Sequence, residues 1–256
     1  MLHTASRVWV GLLASALVSG SACTRSSSET AAPNFFPLHV DDTWVYEVTR
    51  PLRNEHTRMT MRVRGERYLS TLGRRCRLVD ETYSAEDAAF GVPAAPSGKP
   101  EIYPVAYCRM DGFLYRALSL EYHGGEVREI GLGSKEERFL PVAFGTSLAW
   151  ESVTTAYDLG GGNGYGVQQT HWVVPDSGLV EVPAGRFTGC VHVETVALHA
   201  GRHAGANEGE PIVLYYSDWY APDVGLIRTL QSNRPDGGPP LAQIDLLAYD
   251  VEGTRR

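Results

Sequence analysis

The side chains able to do chemistry are scattered along this 256-residue chain, and their spacing decides what each can do. His199-Ala-Gly-Arg-His203 sets two imidazoles four residues apart, with His192, Glu208 and Glu210 nearby in sequence. On a helix that spacing would put both rings on one face for a metal ion. Gly201, Gly205 and Gly209 break the stretch, so it reads as a solvated connection between strands, and no metal site is expected. The run Gly160-Gly161-Gly162-Asn163-Gly164 resembles a phosphate cradle in composition. Phosphate loops lead into a helix N-terminus, whereas this run leads into 165–174, which alternates like a strand, so a hairpin tip is expected. Asp218 stands among Tyr215, Tyr216, Trp219 and Tyr220. An acid among aromatic rings suits either a sugar-gripping cleft or an ordinary β-protein core.

Arg116 and Arg228 are expected to pair with Glu81 and Glu194 as buried bridges on adjoining strands. The sequence has no G-x-S-x-G, no H-E-x-x-H and no strong Ser/His/Asp arrangement. Nor does any of the 30 acids mark itself as half of a glycosidase pair. No catalytic residue and no cofactor is therefore assigned. An enzyme would need polar residues converging in a pocket.

The elements that must position these residues are strands. There are 13 Tyr, 7 Phe and 5 Trp, together with 27 Gly and 15 Pro for turns. Trp44, Tyr46 and Val48 alternate with Val45, Glu47 and Thr49; Met59, Met61 and Val63 alternate with Arg58, Thr60, Arg62 and Arg64. Further strands are expected at 75–84, 101–109, 113–122, 125–132, 147–157, 165–175, 188–198, 211–220, 225–233 and 241–251. No window carries convincing helical spacing. The fold class is mainly β: an antiparallel curved sheet, sandwich or half-barrel.

The two halves echo each other. Asp111-Gly-Phe-Leu114-Tyr-Arg116-Ala-Leu118 and Asp223-Val-Gly-Leu226-Ile-Arg228-Thr-Leu230 share D-x-x-L-x-R-x-L. Gly73-Arg74 before Cys76 echoes Gly185-Arg186 before Cys190. Pro37-Leu38 before Trp44 echoes Pro141-Val142 before Trp150. Four elements in the same order predict a duplication, 35–138 and 139–256, each half a meander of five or six strands that buries its apolar face against the other. Trp44, Tyr46, Trp150, Tyr216 and Trp219 are candidates for a ligand wall or for the core.

The chain has four cysteines. If residue 84 lies opposite about residue 101 in an antiparallel pair, facing residues have indices summing to about 185. Cys76 and Cys108 satisfy this and are predicted to form a disulfide. Closing their loop adds about 3–4 kcal/mol in the chain-entropy model. By the duplication Cys190 faces an aromatic near Tyr220 and reads as a buried thiol; pairing with Cys76 or Cys108, or a redox role, remains the alternative.

Residues 1–22 read as an export signal: Arg7, an apolar run 8–18 too short to span a bilayer as a helix, then Ser19-Gly20-Ser21-Ala22. Without them, 22 basic side chains face 30 acidic ones, because only Arg7 is lost. That surplus of negative charge argues against nucleic acid as a partner. The small residues before Cys23 resemble a bacterial lipobox, in which the cysteine becomes the lipidated N-terminus. Gly20 stands where a typical lipobox has Leu, so ordinary small-x-small cleavage remains a second reading. The polar stretch up to residue 34 suits a flexible tether. Thr24 rather than Asp after the cysteine implies, by resemblance to known sorting patterns, the outer membrane.

Three motifs carry a wider resemblance: PLHVDDTWVYE (37–47), VPAGRFTGCVHVE (182–194) and YAPDVGLIRT (220–229). They are similar to P-L-x-x-G-x-x-W-x-Y, V-x-A-G-x-F-x-x-C and Y-A-P-x-V-G-L-V of uncharacterised bacterial lipoproteins, with Asp41 or Asp42 in place of the first Gly. The resemblance implies a cell-envelope lipoprotein and brings no activity with it. Two functions follow as expectations: binding of an apolar small molecule in a curved sheet, or an interaction role beside an envelope protein. In both the protein would meet the membrane through its lipid.

Overall fold

The computed structural model describes residues 33–70, 72–84, 101–117, 120–123, 126–129, 137–144, 148–157, 164–174, 178–200 and 211–254. The export signal, Cys23, residues 24–32 of the expected tether, residues 160–163, His203, Glu208 and Glu210 lie outside the described residues. In chain order the strands are β1 (Thr43–Arg50), β2 (Glu55–Leu69), β3 (Arg74–Tyr83), β4 (Glu101–Met110), β5 (Phe113–Ala117), β6 (Leu120–His123), β7 (Glu126–Glu129), β8 (Glu137–Pro141), β9 (Ala149–Tyr157), β10 (Gly164–Val174), β11 (Val180–Val182), β12 (Gly185–Phe187), β13 (Val191–Ala200), β14 (Ile212–Ala221), β15 (Gly225–Ser232) and β16 (Ala242–Asp250). The one helical segment among the described residues is a 3-10 turn, Pro51–Arg53.

Twelve strands form one antiparallel, strongly curved and nearly closed sheet in the order β8-β5-β4-β3-β2-β1-β16-β15-β14-β13-β10-β9. The order is two successive runs of six, each the reverse of chain order, joined at the β1–β16 ladder. The two edge strands, β8 and β9, face each other, and the Trp150 indole donates to the Arg138 carbonyl across the gap at 3.2 Å.

Period-two alternation turns one face of every strand inward. Trp44, Tyr46 and Val48 point in and are at most 3% exposed, opposite Met61, Met59 and Thr57 of β2. The alternate β2 residues point out, where Arg62 meets Asp41 at 2.7 Å and Arg64 meets Asp80 at 3.0 Å. Each fully buried large side chain contributes about 1.5–3 kcal/mol, so the inward row of β1 alone anchors this seam of the barrel. The segment before β1 folds across the interior. Phe36 packs against Trp44, Tyr107 and Phe139, at 6.4, 5.0 and 5.4 Å between ring centroids. Asn34 is held by two hydrogen bonds: its N–H donates to Asp223 Oδ1 at 2.9 Å, and the Asp223 N–H donates to its carbonyl at 2.8 Å. The Trp44 indole donates to the Val224 carbonyl at 2.7 Å in the turn before β15. Gly225 in that turn has φ 107°, a backbone conformation that calls for glycine.

Cys76 and Cys108 form a disulfide on the outer face of β3 and β4. The ladder pairs Arg77 with Tyr107 and Tyr83 with Glu101, which brings the two cysteines opposite each other. Leu69, Leu78, Ala106, Ala117 and Leu120 bury the bridge in a second small core, to which the β6–β7 hairpin contributes Leu120. Cys190 is free and fully buried, and burial pushes its thiol pKa up. We expect an alkylating reagent to leave Cys190 unlabelled in the native protein and to label it on unfolding. Labelling at equal rates in both states would show that this part of the core opens readily.

Sequence and structure part at particular places. The strand expected at 113–122 ends at Ala117, and Leu120–His123 and Glu126–Glu129 pair with each other as antiparallel β6 and β7. β8 and the short β11–β12 hairpin were not expected; Pro183-Ala184-Gly185 makes the turn of that hairpin, as the motif suggested. In the repeated D-x-x-L-x-R, Asp111 and Asp223 both adopt a left-handed turn conformation, at φ 49° and 58°, and each leads into its strand. Leu114 and Leu226 both face the interior. The arginines do not match. A bulge between β14 and β15 makes Ile227 an extra, fully buried residue, so Arg228 lies outside while Arg116 points in. Leu118 lies outside the described residues.

Candidate functional site

The inward faces line a partly open cavity of about 290 Å³. Phe36, Met59, Met61, Leu226 and Ile244 make its apolar wall. Its charged side centres on Arg116, whose Nε and Nη2 both donate to Glu137 Oε2, at 2.8 and 2.6 Å. The guanidinium also lies 5.0 Å over the Phe139 ring. Glu137 is only 3% exposed; Arg116 keeps 28% because it faces the cavity. Two further carboxyls, Glu81 and Asp218, face the same space. Burial raises the Glu81 pKa, opposed by the Arg116 charge and a hydrogen bond from Tyr83. Burial pushes Asp218 up to about 6, opposed first by Thr229, whose hydroxyl donates to Oδ1 at 2.6 Å. The Tyr83 and Tyr107 hydroxyls are raised by burial and then by Glu81, and stay protonated.

Beside this cluster runs a buried polar string. His171 stacks on Trp150 with centroids 4.8 Å apart, its Nε2 lies 3.0 Å from Ser152 Oγ, and its Nδ1 lies 2.8 Å from Thr195 Oγ1. Ser–His–Thr superficially resembles a nucleophile with its base. Two facts oppose that use. The Ser152 hydroxyl donates to Gln169 Oε1 at 2.9 Å, so the ring donates from Nε2 to Ser152 and accepts at Nδ1 from Thr195. Burial, then the Arg116 charge, pushes His171 down to about 4, which makes it a poor proton acceptor at neutral pH. The string satisfies buried donors and acceptors.

These two shifts have opposite consequences for stability. Folded Asp218 holds its proton up to about pH 6, against an ordinary value of 3.8, so stability from this group is full below 3.8 and is lost as pH rises through 6. Folded His171 stays neutral down to about pH 4, against 6.5, so its contribution is full above 6.5 and is lost as pH falls through 4. The two nearly cancel in the native protein. Asp218→Asn is expected to stabilise the fold above pH 6, on the order of 2 kcal/mol, and to make it lose stability more steeply towards pH 4. His171→Gln should do the reverse. Urea unfolding at pH 4, 5, 6 and 7 measures both; parallel profiles for the two variants would refute the assignment.

Trp44, Tyr46 and Trp150 are core residues around this cavity, 2–5% exposed, and Tyr216 lines it. Trp219 does not. Strand alternation splits the aromatic run, sending Asp218, Tyr216 and Tyr220 inward and Tyr215 and Trp219 outward, where Trp219 stacks on His192 at 4.3 Å. The expected arginine bridges are also corrected. Arg116 takes Glu137 as its direct partner, with Glu81 nearby, because the β5–β8 register sets Glu137 directly opposite Arg116. Arg228 takes Asp245 on β16, at 2.6 Å; Glu194 instead accepts from Ser217 at 2.8 Å and lies 2.8 Å from His192 Nε2. His199 closes the β13 ladder opposite Ile212. Among the described residues no three metal-ligating side chains converge. Outside the barrel, Trp172, Tyr215, Val196 and Leu230 floor a groove of about 530 Å³ beside the β15–β16 loop.

Glu137, Ser152, His171 and Thr195 were not singled out from sequence. The one usable signal was a polar residue at an inward position of an alternating strand, visible for His171 two residues before Val173.

No family model and no curated protein matches this chain. Two solved structures resemble it. One, from Bacteroides fragilis, is described as an exported protein with a YmcC-like fold; it is 14% identical, with TM-score 0.56 over 86% of this chain and 100% of its own. The other, from Parabacteroides distasonis, is described as a lipoprotein; it is 19% identical, with TM-score 0.53 over 86% of this chain and 99% of its own. The likeness is one of fold.

Proposed function

We propose that the protein is a lipid-anchored component of the bacterial outer membrane whose barrel interior binds a small amphiphilic molecule. The observation that carries the binding reading is the 290 Å³ cavity, lined by both apolar and charged side chains. Its volume is at the lower end of ligand pockets, roughly 300–1,000 Å³, and it suits a compact molecule better than a long acyl chain. The expectation of a purely apolar ligand changes accordingly, because Arg116, Glu81 and Asp218 require a polar end. The anchor reading rests on the signal segment, the small residues before Cys23 and the descriptions of the two structural neighbours. It also fits membership among the lipoproteins that share the three motifs. A duplicated origin is supported by the two six-strand runs and by the matching turns at Asp111 and Asp223.

Native mass spectrometry of the chain purified from envelopes tests the binding. A bound small molecule lost on Met61→Trp, which fills the cavity, supports it, and a ligand-free barrel in every preparation refutes it. Metabolic labelling with an alkyne fatty acid tests the anchor: label on the native chain and none on Cys23→Ala is expected, and no label on either leaves simple cleavage.

A role beside an envelope protein has its own supporting observation. Val153 and Leu198, 46% and 38% exposed, flank Gln168 in one cross-strand row of the outer face. Crosslinking from a probe at Gln168 that captures one reproducible partner would favour this role.

A further inference from the structure

We infer that the ligand of this interior is an organic cation, an ammonium or similar group on a compact apolar or aromatic body; the inference rests on the cavity-binding reading above. Arg116 is the cation facing the cavity among the described residues, and both its Nε and Nη2 are already engaged by Glu137. His171 is neutral and turned to Ser152 and Thr195. Two carboxyls, Glu81 and Asp218, remain facing the same small space with only hydroxyl hydrogen bonds. An anionic ligand would have to displace Glu137 from Arg116 and would add a charge of the wrong sign. A neutral ligand would leave Glu81 and Asp218 to share the charge of Arg116, which is already paired with Glu137. A cation supplies the missing charge.

The surroundings suit one. Tyr83, Tyr107, Tyr216 and Tyr220 line the cavity, and ring faces attract a desolvated cation. Beside them Phe36, Met59, Met61, Leu226 and Ile244 offer an apolar surface: Met59 is paired with Tyr83, Leu226 with Tyr220, and Phe36 lies 5.0 Å from Tyr107. Besides Thr229, the charged and titratable groups around Asp218 are Arg116, Glu194, His192 and Tyr220, with Glu81 and Tyr216 facing the same cavity. A bound cation would ionise Asp218, so binding releases a proton where that carboxyl is still protonated. Affinity should therefore fall at least tenfold per pH unit below 6.

The test is calorimetric titration of the full mature chain with 2-phenylethylamine, its neutral isostere 2-phenylethanol and the anion 3-phenylpropionate. The expected result is binding of the amine at least tenfold tighter than the alcohol, no binding of the carboxylate, proton release near pH 5.5, and loss of the amine preference in Asp218→Asn and Glu81→Gln. Equal binding of amine and alcohol would overturn the cation inference and leave the cavity reading intact. Binding of none of the three, with an empty barrel in native mass spectra, would overturn both.

Discussion

Arg116→Met is expected to cost the fold about 3–5 kcal/mol at neutral pH, the usual penalty for leaving a buried ionised partner alone. The partner is Glu137, 3% exposed and bonded twice through one oxygen to the guanidinium. Methionine can occupy much of the aliphatic volume against Phe139, so most of the loss should be electrostatic. Two comparisons separate this from a packing defect. Adding Glu137→Met to Arg116→Met should recover most of the stability, because removing both charges together relieves desolvation. Arg116→Lys should fall between, keeping the charge but losing the planar fork and the ring contact. Urea midpoints for the four proteins at pH 7 give the answer. A loss below about 1 kcal/mol in Arg116→Met would mean that solvent screens the pair and that the cavity is wet.

How much of this was legible beforehand depends on the range of the interactions involved. Strand alternation is local, and it placed Trp44, Tyr46, Met59 and Met61 inward. Antiparallel pairing of consecutive strands is nearly local, and index arithmetic found Cys76 opposite Cys108. The partner of Arg116 was not legible for a specific reason. It depends on β8 coming back across 19 intervening residues to lie beside β5, with a register shift between Leu114 and Tyr115. Glu137-Arg-Phe-Leu-Pro141 carries too little alternation to declare itself a strand. The Arg228 error has a similar origin: one extra residue, Ile227, reverses the side on which the repeated arginine emerges. Sequence clustering misled for Trp219, because neighbours in a strand are on opposite faces and only every second aromatic can share a site. The cavity itself depends on the closure of twelve strands, which no short motif encodes.

Reducing the Cys76–Cys108 bridge, or replacing both residues by Ala, is expected to cost about 3–4 kcal/mol, since the bridge closes a loop of sequence separation 32. The register of β3 on β4 would persist, held by the ladder from Arg77–Tyr107 to Tyr83–Glu101, so the loss should appear mainly as a less constrained unfolded chain. Circular dichroism of the native state should therefore change little while the urea midpoint drops. Both sulfurs are buried, with the residues 1–2% exposed, beneath Leu120 and its neighbours. Reduction of the native protein should accordingly be slow and should quicken when Leu120→Ala loosens that cover. Cys190→Ala controls for thiol loss, and on its own should cost about 1 kcal/mol or less. The consequence reaches the cell. A domain of this size commonly has 5–15 kcal/mol in hand, so a bridge worth about 3–4 makes its stability depend strongly on an oxidising compartment. Expression without residues 1–22, the proposed export segment, should give a chain with the reduced protein's lower midpoint and faster proteolysis, and expression with them should give the bridged form. If the two forms melt together, the bridge contributes no constraint beyond what the β3–β4 ladder and the outer core already impose.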